Sequence, residues 1–112
     1  MIQTQNYKLS VVTLKGTYFY SPGEIIRLEA SSNYTTIYLI NKKKILITKV
    51  LKELAVMLRP FGFVRTHRSH LVNPEYIVCI NELGNIIMKD ASVAEISRRM
   101  KSGVMRVLKN VA

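Results

Sequence analysis

Short runs of strand-forming residues fill positions 8–47, and only a few residues separate each run from the next. Parallel strands need a crossover of about a dozen residues or more, so gaps this short demand antiparallel pairing through hairpins. Residues 8–13 and 17–20 flank Leu14-Lys15-Gly16, which reads as a hairpin turn. Ser21-Pro22-Gly23 is a second turn. Residues 24–30 and 34–40 follow, joined by Ser31-Ser32-Asn33. Asn41-Lys42-Lys43-Lys44 then turns the chain into Ile45-Leu46-Ile47.

Residues 50–58 break this pattern. Val50, Leu51, Leu54 and Leu58 fit one apolar helical stripe, with Thr48 as cap and Pro60 with Gly62 as stop. Strand character returns at residues 63–65. Asn73-Pro74-Glu75 has a capping side chain followed by proline at the first helical position, so a short turn is expected. Residues 77–81 and 86–89 form another hairpin around Leu83-Gly84-Asn85, and residues 92–96 a last strand. Residues 97–111 read as helix, with Met100, Val104, Val107, Leu108 and Val111 on one face. Gly103 opposes that helix by about 1 kcal/mol relative to alanine. The expected fold is mainly β with one or two short helices, and the 112 residues suit one domain.

Composition narrows the partners. Lys and Arg number 17 against 7 acids, a formal net charge of +10, which favours nucleic acid or an anionic surface. The single cysteine, Cys79, excludes an intramolecular disulfide. It lies in the apolar run Tyr76-Ile77-Val78-Cys79-Ile80, so a buried structural thiol in a reducing, cytoplasmic setting is expected. No apolar stretch approaches the ~18 residues that a membrane span needs, and the polar N-terminus lacks a signal-peptide core.

The most specific segment is Phe63-Val64-Arg65-Thr66-His67-Arg68-Ser69-His70-Leu71-Val72-Asn73. Apolar pairs bracket a polar centre with no acid. Such a centre is expected to sit rigidly at the surface, where Arg and His donors suit phosphate or a guanine edge. His67, His70 and Cys79 are the only candidate metal ligands of note. Residues three apart in an extended segment point to opposite faces, so no metal and no cofactor are expected. Ser69 and His67 are too close in sequence for a triad, and no phosphate loop or carboxylate pair appears, so no enzyme activity is expected. The basic amphipathic tail suits docking on the domain's own core better than a membrane surface. Lys42-Lys43-Lys44 reads as a charged hairpin tip rather than a phosphate site.

Several blocks, in order, resemble the LytTR-type DNA-binding domain of bacterial response regulators. Glu24-Ile25-Ile26-Arg27-Leu28-Glu29-Ala30 is similar to its early strand, and Asn33-Tyr34-Thr35 to the following loop. Leu51-Lys52-Glu53-Leu54 matches its short helix, and Ile96-Ser97-Arg98-Arg99 its terminal block. The pattern Phe63-x-Arg65-x-His67-Arg68-Ser69-x-Leu71-Val72-Asn73 is the most specific match. The resemblance implies an elongated stack of small antiparallel sheets. It implies loops at one end that enter successive major grooves of bent duplex DNA, with no recognition helix. Carried over by position, the implied base contacts are Thr35, Arg68 and Arg99. Asn33, His67, Ser69, Arg98 and Lys101 become the implied backbone contacts. Threonine is a shorter group than some relatives place at the first position. A receiver domain, or a second copy on repeated half-sites, is a further implied partner; these residues contain neither a receiver domain nor a membrane segment.

The expectation is therefore sequence-specific duplex binding by a transcription regulator. The competing reading is an RNA or single-strand module. Such a module needs exposed aromatics for stacking, whereas Tyr18, Phe19, Tyr20 and Tyr38 sit in strand-like runs.

Overall fold

The computed structural model describes residues 7–109. Nine of its ten strands and both helices follow the expected order, and the tenth, His70–Val72, falls where no strand was expected. The strands are β1 (Leu9–Thr13), β2 (Gly16–Tyr20), β3 (Ile25–Ser31), β4 (Tyr34–Leu39), β5 (Lys44–Ile47), β6 (Val64–His67), β7 (His70–Val72), β8 (Ile77–Ile80), β9 (Ile86–Met88) and β10 (Val93–Ala94). The helices are α1 (Leu51–Leu58) and α2 (Lys101–Lys109). The strands form a β1-β2 hairpin, a five-stranded sheet in the order β5-β4-β3-β7-β6, and a three-stranded sheet in the order β10-β9-β8. All pairs among the described residues are antiparallel; the short gaps demanded this of β1-β2, β3-β4 and β4-β5, whereas β3-β7 joins segments far apart in sequence. The stack measures 41 × 39 × 24 Å, two long dimensions and one short.

The five-stranded sheet is covered on both faces. One core joins Leu9 of β1, Leu28, Ile37 and Leu71 of the sheet, and Leu51, Leu54 and Leu58 of α1. The other joins Ile26 and Val72 to Ile86, Met88 and Ala94 of the smaller sheet, with Leu108 of α2 packed against it. Neighbours Leu71 and Val72 serve opposite cores, as alternation along a strand requires. Ile25 and Leu28 nevertheless share one core although three residues apart. A bulge between Ile25 and Arg27 inserts the extra residue that resets the alternation.

Several local expectations hold. Leu51, Leu54 and Leu58 are the buried stripe of α1. A 3-10 turn at Arg59–Phe61 and Gly62, at φ 89°, end the helix region. Asn73 Oδ1 accepts the Glu75 N–H at 3.1 Å, so Pro74–Tyr76 forms the expected capped turn.

Others need correction. Thr48 does not cap α1; Val50 occupies that position, exposed and without a side-chain capping bond. Cys79 is exposed rather than buried. It lies on an edge strand, and a register shift between Ile77 and Cys79 breaks the alternation that would have turned it inward. The last strand is only Val93–Ala94, and α2 starts at Lys101 after a turn through residues 98–100. Along α2, Val104 is buried while Val107 is 47% exposed; Val111 lies outside the described residues.

Candidate nucleic-acid interface

Register alone gathers the candidate segments. β3 and β4 pair up to Ser31↔Tyr34, so the Ser32-Asn33 turn leaves one end of the five-stranded sheet. β7 pairs with β3 through Glu29↔His70, which puts the start of β7 and the Arg68-Ser69 turn at that same end. Ala30 N–H donates to the Ser69 carbonyl at 2.9 Å and ties the two turns together. The Lys42-Lys43-Lys44 turn lies at the opposite end, because Tyr38 pairs with Lys44 while Thr35 pairs with Ile47.

The terminal block reaches this end through Thr66. β6 carries an extra residue there: Arg65 pairs with Leu71 and His67 with His70, leaving Thr66 outside the ladder. Its freed backbone and side chain turn to the neighbouring segment. Thr66 Oγ1 donates to the Glu95 carbonyl at 2.8 Å, and Ser97 N–H donates to the Thr66 carbonyl at 2.8 Å. Thr66 is fully buried beneath this join. Ser97 Oγ in turn accepts the Met100 N–H at 3.2 Å, which shapes the turn holding Arg98 and Arg99. Blocks far apart in sequence thus share one end of the fold.

Arg68, Arg98, Arg99, Lys101 and Asn33 are exposed, and His67 and Ser69 are half-buried. Thr35 is different. It is 1% exposed, and its hydroxyl donates to the Lys49 carbonyl at 2.8 Å. A side chain with no free surface and a committed hydroxyl has nothing to offer a base edge, so the expected base contact at Thr35 is withdrawn. The inward alternation of β4 turns Thr35 to the core face with Ile37 and Leu39.

The polar run 66–70 is not wholly a surface segment. Its two ends are strand, and Thr66 and His70 are buried. His67 Nδ1 accepts the Ser69 N–H at 3.0 Å. A neutral ring that accepts at Nδ1 carries its proton on Nε2. Nε2 lies 3.7 Å from Glu95 Oε1. The rings of His67 and His70 meet edge-on with centroids 5.3 Å apart. Burial lowers the His70 pKa first; Arg27 and His67 lower it further, against Glu29 and Glu95. His70 is therefore neutral at neutral pH.

This arrangement overturns one geometric premise. The two-residue turn puts His67 and His70 side by side rather than on opposite faces, and with Glu95 their ligand atoms lie within 4.8 Å of one another. The donor chemistry still opposes a metal. A metal-bound imidazole normally donates its other N–H to an acceptor. Here the atom facing His67 Nδ1 is itself a donor, the Ser69 N–H.

Two residues of this end carry no sequence-level assignment. Arg65 Nε donates to the His67 carbonyl at 3.2 Å, and Arg65 Nη2 to the Arg68 carbonyl at 2.6 Å. Exposed Lys49 follows β5 beside the Ser32-Asn33 turn, 3.9 Å from Glu53. Arg65 stood in the quoted motif, but nothing in spacing shows where a guanidinium points. Lys49 has no pattern to mark it. Arg27, by contrast, is 6% exposed and internally engaged: Nη1 donates to Glu29 and Nε to Ser92, both at 2.8 Å, and the guanidinium lies 4.1 Å from the Tyr38 ring centroid.

The family model of the LytTr DNA-binding domain matches residues 2–109. The chain belongs to this family. Its fold agrees with a solved structure, the LytTr DNA-binding domain of a protein named as a methyl-accepting/DNA response regulator from Bacillus cereus. That likeness has a TM-score of 0.77 at 21% identity, covering 90% of this chain and 95% of the other. No curated protein matches the chain. The family is that of a DNA-binding domain. No helix among the described residues is long and apolar enough to cross a membrane.

Proposed function

We propose that this LytTR domain binds duplex DNA sequence-specifically, with turns from one end of the five-stranded sheet inserted into the major groove. The observation that carries this is the convergence of the 32–33, 68–69 and 95–99 segments, bound together by the Ala30–Ser69, Thr66–Glu95 and Ser97–Thr66 hydrogen bonds. Arg68 and Arg99 read base edges, for which a planar guanidinium fork suits guanine. Asn33, His67, Ser69, Arg98 and Lys101 hold phosphates and set the register. A regulator's receiver domain, or a second copy on a repeated half-site, completes the regulatory unit.

Selection from a random duplex pool tests this reading. An enriched motif is expected, and its affinity should fall with salt. Five neutralised phosphates give a log–log slope of about −4.5, from ~0.9 per phosphate. No measurable duplex affinity at low salt, or stronger binding to single-stranded RNA than to any duplex, would refute it.

A further inference from the structure

We propose that Arg65 is a positioning residue for recognition: its guanidinium locks the backbone of the β6-β7 turn so that Arg68 is presented to a base edge in one direction. This rests on the reading that Arg68 contacts a base. The turn needs such support. Two-residue hairpin loops normally take primed turns, which require a positive φ and match the twist of the flanking strands. Neither Arg68 nor Ser69 has a positive φ; among the described residues, Ser32, Lys42 and Ala91 are the residues other than glycine that do. The turn is therefore of the unprimed kind, which leaves its strands splayed unless something else holds them.

What holds it is a set of four bonds to the turn's own backbone. Arg65 Nε takes the His67 carbonyl at 3.2 Å, and Nη2 takes the Arg68 carbonyl at 2.6 Å. His67 Nδ1 takes the Ser69 N–H at 3.0 Å, and the Ser69 carbonyl takes the Ala30 N–H at 2.9 Å. Two of the four come from one guanidinium, whose rigid fork fixes the direction of both carbonyls at once. Lysine lacks that fork. The Thr66 bulge breaks the strand alternation between Arg65 and the turn, in a part of the hairpin where the ladder itself is interrupted. Partial burial draws the Arg65 pKa below its ordinary value, consistent with a group withdrawn from water. The Arg68 side chain, in contrast, makes no hydrogen bond or ion pair among the described residues and is exposed. A free side chain on a fixed backbone leaves only its own rotamers to be ordered on binding.

The test uses the full chain and the variants Arg65→Gln, Arg65→Lys, Arg68→Ala and the double Arg65→Gln/Arg68→Ala, each checked for folding by thermal melting. The first arm needs no DNA. In Arg65→Gln, nitrogen-15 relaxation should show the Arg68 and Ser69 amides falling from a rigid order parameter near ~0.85 to below ~0.6. The second arm compares the duplex selected by the wild-type chain with an unrelated duplex of equal length. Arg65→Gln and Arg65→Lys should each lose about tenfold in preference for the selected duplex, within the range of one lost base contact. The salt slope should stay unchanged, and Arg65→Gln should add nothing in the Arg68→Ala background. Rigid turn amides in Arg65→Gln, or losses that add to those of Arg68→Ala, overturn the proposal. So does a slope reduced by ~0.9 and restored by lysine, because that marks a direct phosphate contact. A wild-type chain that prefers no duplex sinks the proposed function instead, and turn mobility in Arg65→Gln then still decides whether Arg65 holds the turn.

Discussion

Thr66→Val removes one hydroxyl and leaves the shape of the side chain nearly unchanged. The Thr66 side chain is fully buried, and its Oγ1 supplies the 2.8 Å bond to the Glu95 carbonyl. Losing one partner of a buried hydrogen bond costs ~1–3 kcal/mol. The Glu95 residue is exposed, so water partly replaces the lost donor and the lower half of that range applies, about 1–2 kcal/mol. For a domain near this size that is a drop in melting temperature of roughly 4–10 °C. The Ser97 N–H still reaches the Thr66 carbonyl, so the 95–99 segment keeps one of its two ties. Duplex affinity should fall a few-fold, because Arg98 and Arg99 are held less firmly. Thr66→Ser is the companion: it keeps the hydroxyl and loses a buried methyl, worth ~0.8 kcal/mol. Both variants should be less stable, but only Thr66→Val should bind DNA more weakly at a temperature where both are folded. Urea titrations with an unchanged m value and fluorescence anisotropy on a selected duplex measure the two effects. Equal affinities for the two variants would refute the idea that this hydroxyl anchors the terminal block.

Arg68→Ala should cost ~1–3 kcal/mol of operator affinity and relax base choice at one position, measured against selected and random duplexes; equal losses on both would remove base readout. Arg99→Ala should weaken operator binding at constant melting temperature, while Val104→Ala should cost about 1.5 kcal/mol of stability from two lost methyls and leave the affinity of the folded protein intact. Half-buried Leu108 should cost about 1–2 kcal/mol on truncation to alanine, below the ~2–5 kcal/mol of a fully buried leucine. Lowering the pH from 7.5 to 5.5 should lower the melting temperature, because His70 has a folded-state pKa below its ordinary value of 6.5. Its protonation favours the unfolded chain, so stability is intact above that ordinary value and is lost as pH falls from it toward the lowered one; His70→Gln should flatten this slope. Chelation should leave folding and DNA binding unchanged; stoichiometric zinc lost together with the fold would contradict the donor argument made for His67.

The β1-β2, β3-β4, β4-β5 and β8-β9 hairpins were legible because turn residues and alternation are local properties, whereas the β6-β7 hairpin was hidden by its polar centre. Leu51, Leu54 and Leu58 announced α1 by spacing alone, and Asn73-Pro74-Glu75 announced its turn by capping chemistry. What the sequence hid were the bulges. One between Ile25 and Arg27 puts Ile25 and Leu28 in the same core, one at Thr66 turns a polar residue inward, and one between Ile77 and Cys79 exposes the thiol. Each adds one residue, and one residue reverses every side-chain direction beyond it. No composition rule signals such a shift. The Thr35 assignment failed for a different reason, since β4 alternates there without a bulge. A motif position identifies a residue but not the face of the strand it occupies. The late start of α2 is another case: the Met100 N–H bonds the Ser97 side chain and carbonyl, which makes residues 98–100 a turn, and the helix begins only at Lys101.

The division between buried and exposed polar groups at the sheet end bears on how such a domain changes its specificity. Thr35, Thr66 and His70 lie below the surface, and the two threonine hydroxyls are committed to the backbone carbonyls of Lys49 and Glu95. They fix where the turns sit. Arg68 and Arg99 lie above them, exposed and carried on turns. Exchanging an exposed turn residue typically costs a folded domain under ~0.5 kcal/mol. Exchanging a buried, bonded one costs several times that. On the proposed reading, the base contacts are therefore the residues this fold can replace most cheaply, while the residues that aim them are the ones it must keep. A recognition helix does not separate these tasks as cleanly, since its base-reading residues share a backbone with its core-facing stripe. Turns supported from beneath by side-chain-to-backbone bonds allow the reading surface to vary without repacking the cores on either side of the sheet.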